Sequence, residues 1–213
     1  MKIMKLDTRK QNVFFTSDTH FSHANIIKYC DRPYKSVDEM DEDIIRRWNE
    51  TVKKDDVVFH LGDFGMVNQK KLESIIGRLN GQIYLIKGNH DGNWNTDGLF
   101  KLVRQHMVIN VDGVLAYLSH CPLLSYGGEM LNGRRFIQLY GHVHSRKNMS
   151  KHDKQRQART SWNQCDVGVD NNDYRPISFN EVMKLIDHRR ANEKGLRNRV
   201  LNWVINKLYL FKV

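Results

Sequence analysis

Three short apolar runs, Val13-Phe14-Phe15-Thr16-Ser17, Val57-Val58-Phe59-His60-Leu61 and Ile83-Tyr84-Leu85-Ile86, are separated by two longer segments with helical periodicity. Uninterrupted apolar runs of this length read as strands buried on both faces. In the first spacer Val37, Met40, Ile44, Ile45, Trp48 and Val52 form one stripe, opened by the capping box Ser36-Val37-Asp38-Glu39. In the second, Asn68 can cap a helix striped by Leu72, Ile75, Ile76 and Leu79, and Asn80-Gly81 ends it. Strand, helix, strand, helix, strand argues for a parallel βαβ sheet in the first half of the chain.

The second half reads differently. The segment from Thr96 to Phe100 is a short helix or loop. Leu102 to Val111 and Val114 to Ser119 are strand-like and meet at Asp112-Gly113, a hairpin signal. Arg135 to Tyr140 and Cys165 to Asp170 supply further strands, and Ser178-Phe179-Asn180-Glu181 caps a helix. The expectation is therefore hairpins after βαβ units, accommodated by two sheets packed face to face in one domain over residues 1–190. Residues 191–213, with Leu196, Val200, Leu201, Val204, Ile205 and Leu208 in one stripe amid Arg197, Arg199, Lys207 and Lys212, predict a basic amphipathic helix docked on that domain.

Composition narrows the class. The 213 residues carry 34 Lys and Arg against 24 Asp and Glu, a formal net charge of +10, which favours phosphate-bearing or other acidic partners. Ser145 to Thr160 is a basic, apolar-poor loop. Cys30, Cys121 and Cys165 are widely spaced, which suggests neither a zinc ribbon nor a disulfide framework. No apolar run approaches a membrane span, and residues 1–12 lack the apolar core of a signal peptide, so a cytoplasmic location is expected.

The chemistry sits where strands end. Asp18 and His20 follow the first run, with His23 and Asn25 just beyond; Asp63 lies in Gly62-Asp63-Phe64-Gly65; Asn89, His90 and Asp91 follow the third. His120 ends the Val114 strand, and His142 and His144 lie in Gly141-His142-Val143-His144. Asp18 and His20, two apart at a strand end, are expected to point to the same side. Carboxylate and imidazole donors without thiolates suit manganese, iron, zinc or cobalt, and there are more of them than one ion needs. His60 reads as a buried core histidine, and His106, His152 and His188 have no metal-like spacing.

The ordered series Asp-x-His, Gly-Asp, Gly-Asn-His-Asp, His and Gly-His-x-His, spread from Asp18 to His144, resembles the calcineurin-like metallophosphoesterase superfamily. The resemblance implies a four-layer α/β/β/α sandwich, here with an extra C-terminal helix. It also implies two divalent ions, manganese foremost, with iron, zinc, cobalt and nickel as the other candidates. Asp18, His20 and His144 would bind the first ion, and Asn89, His120 and His142 the second, with Asp63 between them. His90 would be the general acid or transition-state stabiliser and Asp91 would orient it. His23 and Asn25, just beyond the first motif, either line the phosphate site or make a structural hydrogen bond. The implied reaction is metal-dependent hydrolysis of a phosphodiester, nucleotide or nucleic acid included, by a two-metal, bridging-hydroxide mechanism. A phosphomonoesterase acting on a small substrate and a non-catalytic metal-binding scaffold are the alternatives. The oligomeric state is not readable from sequence.

Overall fold

A computed structural model describes residues 3–124, 130–131, 134–145, 149, 151, 154–155 and 159–193. In chain order its elements are β1 (Met4–Leu6), β2 (Val13–Thr16), α1 (Ala24–Tyr29), α2 (Val37–Thr51), β3 (Val57–His60), α3 (Gln69–Ile76) and β4 (Gln82–Ile86). There follow β5 (Leu102–Arg104), β6 (His106–Val111), β7 (Val114–Ser119), β8 (Met130–Leu131), β9 (Arg134–Tyr140), β10 (Gln164–Asp166) and β11 (Ile177–Ser178). A helix over 179–193, α4, ends the described chain.

The strands form two sheets. One has the order β11-β2-β3-β4-β5, with β2 to β5 mutually parallel and β11 antiparallel at the edge. The other has the order β1-β6-β7-β9-β10, with β8 paired to β9. Phe15, Phe59 and Leu61 of the first sheet face Ile109, Ala116, Leu118, Ile137 and Leu139 of the second, all fully buried. Side chains alternate across a strand, so Phe14, Val58 and Leu85 point the other way, into a second core under the helices. There α2 contributes Met40, Ile44 and Trp48, each burial worth about 1.5–3 kcal/mol. The Trp48 indole N–H donates to the Asn80 carbonyl at 2.9 Å, so its one polar atom is satisfied. α4 joins the core between the sheets through Phe179, Val182 and Ile186.

The helix starts are made as expected. The Ser36 hydroxyl accepts from Glu39 N–H at 3.1 Å, although the Glu39 carboxylate reaches back to Lys35 N–H (2.7 Å) rather than to Ser36. Asn68 caps α3 through Lys71 N–H at 2.9 Å, and Ser178 and Glu181 make the reciprocal box on α4.

Three strand expectations need correction. The run from Leu102 to Val111 is two strands: β5 pairs with β4 in one sheet, and after Gln105 β6 pairs with β1 and β7 in the other. The polar triplet Arg104-Gln105-His106 marks the point where the chain changes layers, and it is easily passed over because strand-like residues continue on both sides. The second half is only partly hairpins: β6 and β7 form the one at Asp112-Gly113, but β7, β9 and β10 run parallel. The strand expected through Asp170 stops at Asp166, and Val169–Asn171 turns into a 3₁₀ helix. The short elements β1, α1, β8 and β11 have too few residues for periodicity to reveal them. The amphipathic segment after Gly195 and most of the basic 145–160 loop lie outside the described residues.

Candidate active site

Because β2, β3 and β4 are parallel, their carboxyl ends lie along one edge, where ligands of open α/β sheets bind. That edge carries Asp18 and His20, Asp63, and Asn89 to Asp91. The parallel pair β7 and β9 brings His120, His142 and His144 to the same place from the other sheet. Potential ligand atoms of Asp18, His20 and His144 lie within 4.8 Å of one another, as do those of Asp18, Asp63 and His120. Asp63 Oδ2 is 3.5 Å from His20 Nε2 and 3.3 Å from His120 Nε2, and His120 Nε2 is 3.1 Å from Asn89 Oδ1. One carboxylate oxygen thus sits between an imidazole from each sheet.

The backbone makes this convergence by leaving the extended form. Asp18 (φ 58°), His20 (51°), Asp63 (53°), His142 (71°) and His144 (45°) are all left-handed. Such values are uncommon for residues other than glycine, cost about 1–3 kcal/mol each and cluster at functional sites. Asp18 and His20 therefore come together through a kinked loop, not through the alternation of an extended strand as the sequence suggested. Backbone bonds splice the loops: Asp18 N–H to Gly62 O (2.9 Å), His20 N–H to Asp63 O (3.0 Å) and Gly141 N–H to His120 O (2.8 Å). Two glycines permit the approach. A Cβ on Gly88 would fall onto the Asp63 carboxylate, and one on Gly141 onto the Ser17 hydroxyl and the Asp18 carboxylate.

Asn89 and His90 are exposed on their loop, and the His90 ring lies 5.4 Å from that of His20 and 6.0 Å from that of His23. His23 Nδ1 is 3.2 Å from His20 Nδ1. A cavity of about 300 Å³ is lined by His20, His23, Tyr29, Asp63, His90 and His144, among others. Asn25 is exposed on α1 and does not line it. Asp91 differs from expectation: its carboxylate accepts from the backbone N–H groups of Asp63 (3.1 Å), Phe64 (2.7 Å) and Gly88 (2.7 Å), and among the described residues makes no hydrogen bond to the His90 ring. Its short side chain is spent fixing the Asp63 loop against the Gly88 loop.

Residues 12–160 match the calcineurin-like phosphoesterase superfamily domain. The chain belongs to that superfamily. An uncharacterised protein of Methanocaldococcus jannaschii is 36% identical over 194 residues, covering 90% of this chain and 97% of its own. The gene 66 protein of Mycobacterium phage L5 is 29% identical over 213 residues, covering 85% of this chain and 97% of its own. Among solved structures, a protein of unknown function from Aquifex aeolicus superposes with a TM-score of 0.62 at 28% identity, covering 82% of this chain and 99% of its own. Membership of the calcineurin-like superfamily makes this a metal-dependent phosphoesterase acting on a phosphoester substrate. No helix among the described residues is long and apolar enough to cross a membrane.

The residues fit the cations that the calcineurin-like family uses. His20 Nε2 is buried and has no hydrogen-bond partner among the described residues, yet it faces the Asp63 carboxylate. An unpartnered lone pair beside a buried carboxylate is a ligand pair in waiting. The field favours positive charge at the same place. Burial pulls the His144 imidazole down, but Asp18 and Asp170 more than offset this and raise it to about 11. His120 is raised to about 9, against burial, by Asp63 and Asp18. His20, dominated by burial and by neighbouring His144, falls to about 2. Of these three, only His20 is neutral beside an ionised carboxylate, as a metal ligand must be; a bound cation would take the place of the protons that the carboxylates now hold on His144 and His120.

Several residues that shape the site escaped the sequence reading. The Arg32 side chain is fully buried and grips Asp170 with two bonds (Nε to Oδ1 2.8 Å, Nη2 to Oδ2 3.0 Å), while donating to the carbonyls of Asp18 (2.7 Å) and Thr19 (3.0 Å). Asp170 in turn accepts from His144 Nδ1 at 2.7 Å. Asp41, buried on α2, accepts from Ser22 N–H at 3.0 Å and holds the loop after His20. His60 is the core histidine expected, 3.0 Å from the Thr19 hydroxyl. An acid on a helix's apolar face was the one visible signal for Asp41. Arg32 and Asp170 are 138 residues apart and gave none.

Proposed function

We propose that this chain hydrolyses phosphodiesters with the help of two divalent cations, manganese foremost. Asp18, His20 and His144 would hold one cation and Asn89, His120 and His142 the other, with Asp63 available to both. The observation that carries the reading is the Asp63 carboxylate, with one oxygen 3.5 Å from His20 Nε2 and 3.3 Å from His120 Nε2, one imidazole from each donor set. When bound, such cations offset phosphoryl charge and lower the pKa of water. The chain's own groups do the rest. Asp170 holds the His144 ring by its Nδ1, leaving Nε2 turned toward Asp18 at 3.8 Å. Asp91 fixes the spacing of the Asp63 and Gly88 loops. His23, at the cavity wall, meets a phosphoryl oxygen. As water adds to phosphorus, the ester P–O bond breaks and the His90 ring passes a proton to the departing alcohol, a contribution of about 10²–10⁴-fold. A diester needs that proton because its leaving alkoxide is poor, and the net charge of +10 suits polyanionic substrates such as nucleotides or nucleic acid.

The test is reconstitution. Protein stripped with a chelator and reloaded with Mn²⁺ is expected to hold two ions per chain by mass spectrometry and to regain hydrolysis of bis(p-nitrophenyl) phosphate. Activity that survives stripping, or saturation at one ion, refutes the two-cation reading. A faster rate on p-nitrophenyl phosphate than on the diester refutes the diester preference.

A further inference from the structure

Beyond His120 the chain does not leave the site. Cys121 to Leu124 form the wall of a second cavity of about 300 Å³, which shares His142 and Val143 with the cavity over the donor cluster and is further lined by Arg159 and Thr160. The wall is built. Gln138 and Gln164, fully buried on β9 and β10, hold its backbone: Gln138 Oε1 accepts from Leu123 N–H (3.2 Å), Gln138 Nε2 donates to the Cys121 carbonyl (3.3 Å), and Gln164 Nε2 donates to the Leu123 carbonyl (2.8 Å). The two glutamines are hydrogen-bonded to each other, and the Ser119 hydroxyl, which accepts from Gln138 Nε2 at 2.8 Å, donates to the Cys121 carbonyl at 2.9 Å. Such buried polar networks rigidify what they hold. Here they present Leu124, 83% exposed, beside a proposed metal ligand. A lone exposed leucine is ordinary by itself; what singles this one out is that it lines a cavity together with Pro122, Leu123 and His142.

We propose that this second cavity is the subsite for the retained arm of the diester, and that the arm is a nucleoside. This rests on the phosphodiesterase reading above. His90 lines the first cavity and not the second. The alcohol that takes the His90 proton therefore departs on the Tyr29 side, and the phosphate keeps its ester to the group lying over Pro122 and Leu124. Water supplies the new P–O bond, and the products are an alcohol and a nucleoside monophosphate. Pro122, Leu123 and Leu124 give one apolar face to a ring system, and Arg159 gives a guanidinium for its π-face or for an adjoining phosphate. The cavity is at the lower end of small-ligand volumes, the size class of one nucleoside rather than a folded nucleic acid.

The experiment has two readouts on the Mn²⁺-loaded full chain. In hydrolysis, thymidine 5′-(p-nitrophenyl phosphate) is expected to exceed methyl p-nitrophenyl phosphate in kcat/KM by about tenfold or more, the worth of burying one large apolar contact. The leaving group is the same in both, so the ratio reports the retained arm. In calorimetry, thymidine 5′-monophosphate is expected to bind about tenfold more tightly than methyl phosphate. Leu124→Asp, at an exposed position, is expected to collapse both ratios toward unity. Equal affinity for the two monophosphates, or ratios unmoved by Leu124→Asp, overturns the subsite. If neither diester is hydrolysed, the phosphodiesterase reading fails, and the calorimetric ratio with its Leu124→Asp control still decides the subsite.

Discussion

Replacing Arg32 by methionine tests whether the buried Arg32–Asp170 pair is what holds the site's rear wall. Both side chains are essentially without solvent contact, so the substitution leaves the Asp170 carboxylate buried with His144 Nδ1 as its remaining hydrogen-bond partner among the described residues. Breaking a buried pair from one side costs about 3–5 kcal/mol, chiefly the uncompensated charge. The carbonyls of Asp18 and Thr19 also lose their 2.7 and 3.0 Å donors. We expect Arg32→Met to lower unfolding free energy by about 4 kcal/mol, measured by urea titration in excess chelator with tryptophan fluorescence, for which the buried Trp48 is a reporter. Asp170→Asn removes the charge instead. Added to Arg32→Met it should recover part of the loss, with a coupling energy of about 2 kcal/mol. Asp170→Asn alone should also weaken Mn²⁺ binding by about 10–100-fold, because His144 loses the carboxylate that sets its ring. A loss under about 1 kcal/mol for Arg32→Met, or an additive double variant, would falsify the argument that this pair carries the wall.

Three further outcomes are expected. His90→Ala should cut turnover of a diester by about 10²–10⁴-fold while metal content by mass spectrometry stays at the wild-type value; metal loss instead would make His90 a ligand. Asp63→Ala should lose stoichiometry in the same measurement, falling below two ions per chain, since the shared carboxylate is gone; two ions retained would remove Asp63 from the centre. Glu181 gives a pH test away from the site. Burial works to raise its carboxyl, but Arg175 and the Ser178 N–H and hydroxyl outweigh this and hold it at about 2, below the usual 4.5. A depressed folded value stabilises above the unfolded pKa and is lost as pH falls. The group is partly exposed, so Glu181→Gln should cost about 1 kcal/mol at pH 7 after screening, shrinking to nothing between pH 4.5 and 2. A difference that stays constant over that window would show that the charge contributes nothing.

What the sequence disclosed follows from range. The stripe on α2, the caps at Ser36, Asn68 and Ser178, and the buried strands at Val13, Val57 and Ile83 are local patterns, and each is where it was expected. The donor residues were legible because each follows a strand end, and parallel strands bring such ends together. Asp91 was misjudged because proximity in sequence to His90 does not say which way a short carboxylate turns; three backbone N–H groups outbid one imidazole. The left-handed donors left no trace either, since Asp and His at a loop look the same at any φ. Gln138 and Gln164 read as ordinary polar residues of strands, and only the packed sheet shows that they bolt the Cys121–Leu123 backbone in place.

The change of layer at Gln105 sets a mechanical condition on the centre. Asp18, His20, Asp63 and Asn89 hang from one sheet, and His120, His142 and His144 from the other, so each proposed cation would draw its ligands from both sheets and the spacing of those ligands depends on how the sheets pack. Packed side chains such as Phe59, Ile109 and Leu118 fill the space between the sheets and act as shims. β5 and β6 are one uninterrupted piece of chain riveted into both layers, which limits how far the sheets can slide past each other. The centre is in effect a caliper whose jaws are two sheets. Its setting is written in hydrophobic residues that never touch a phosphate.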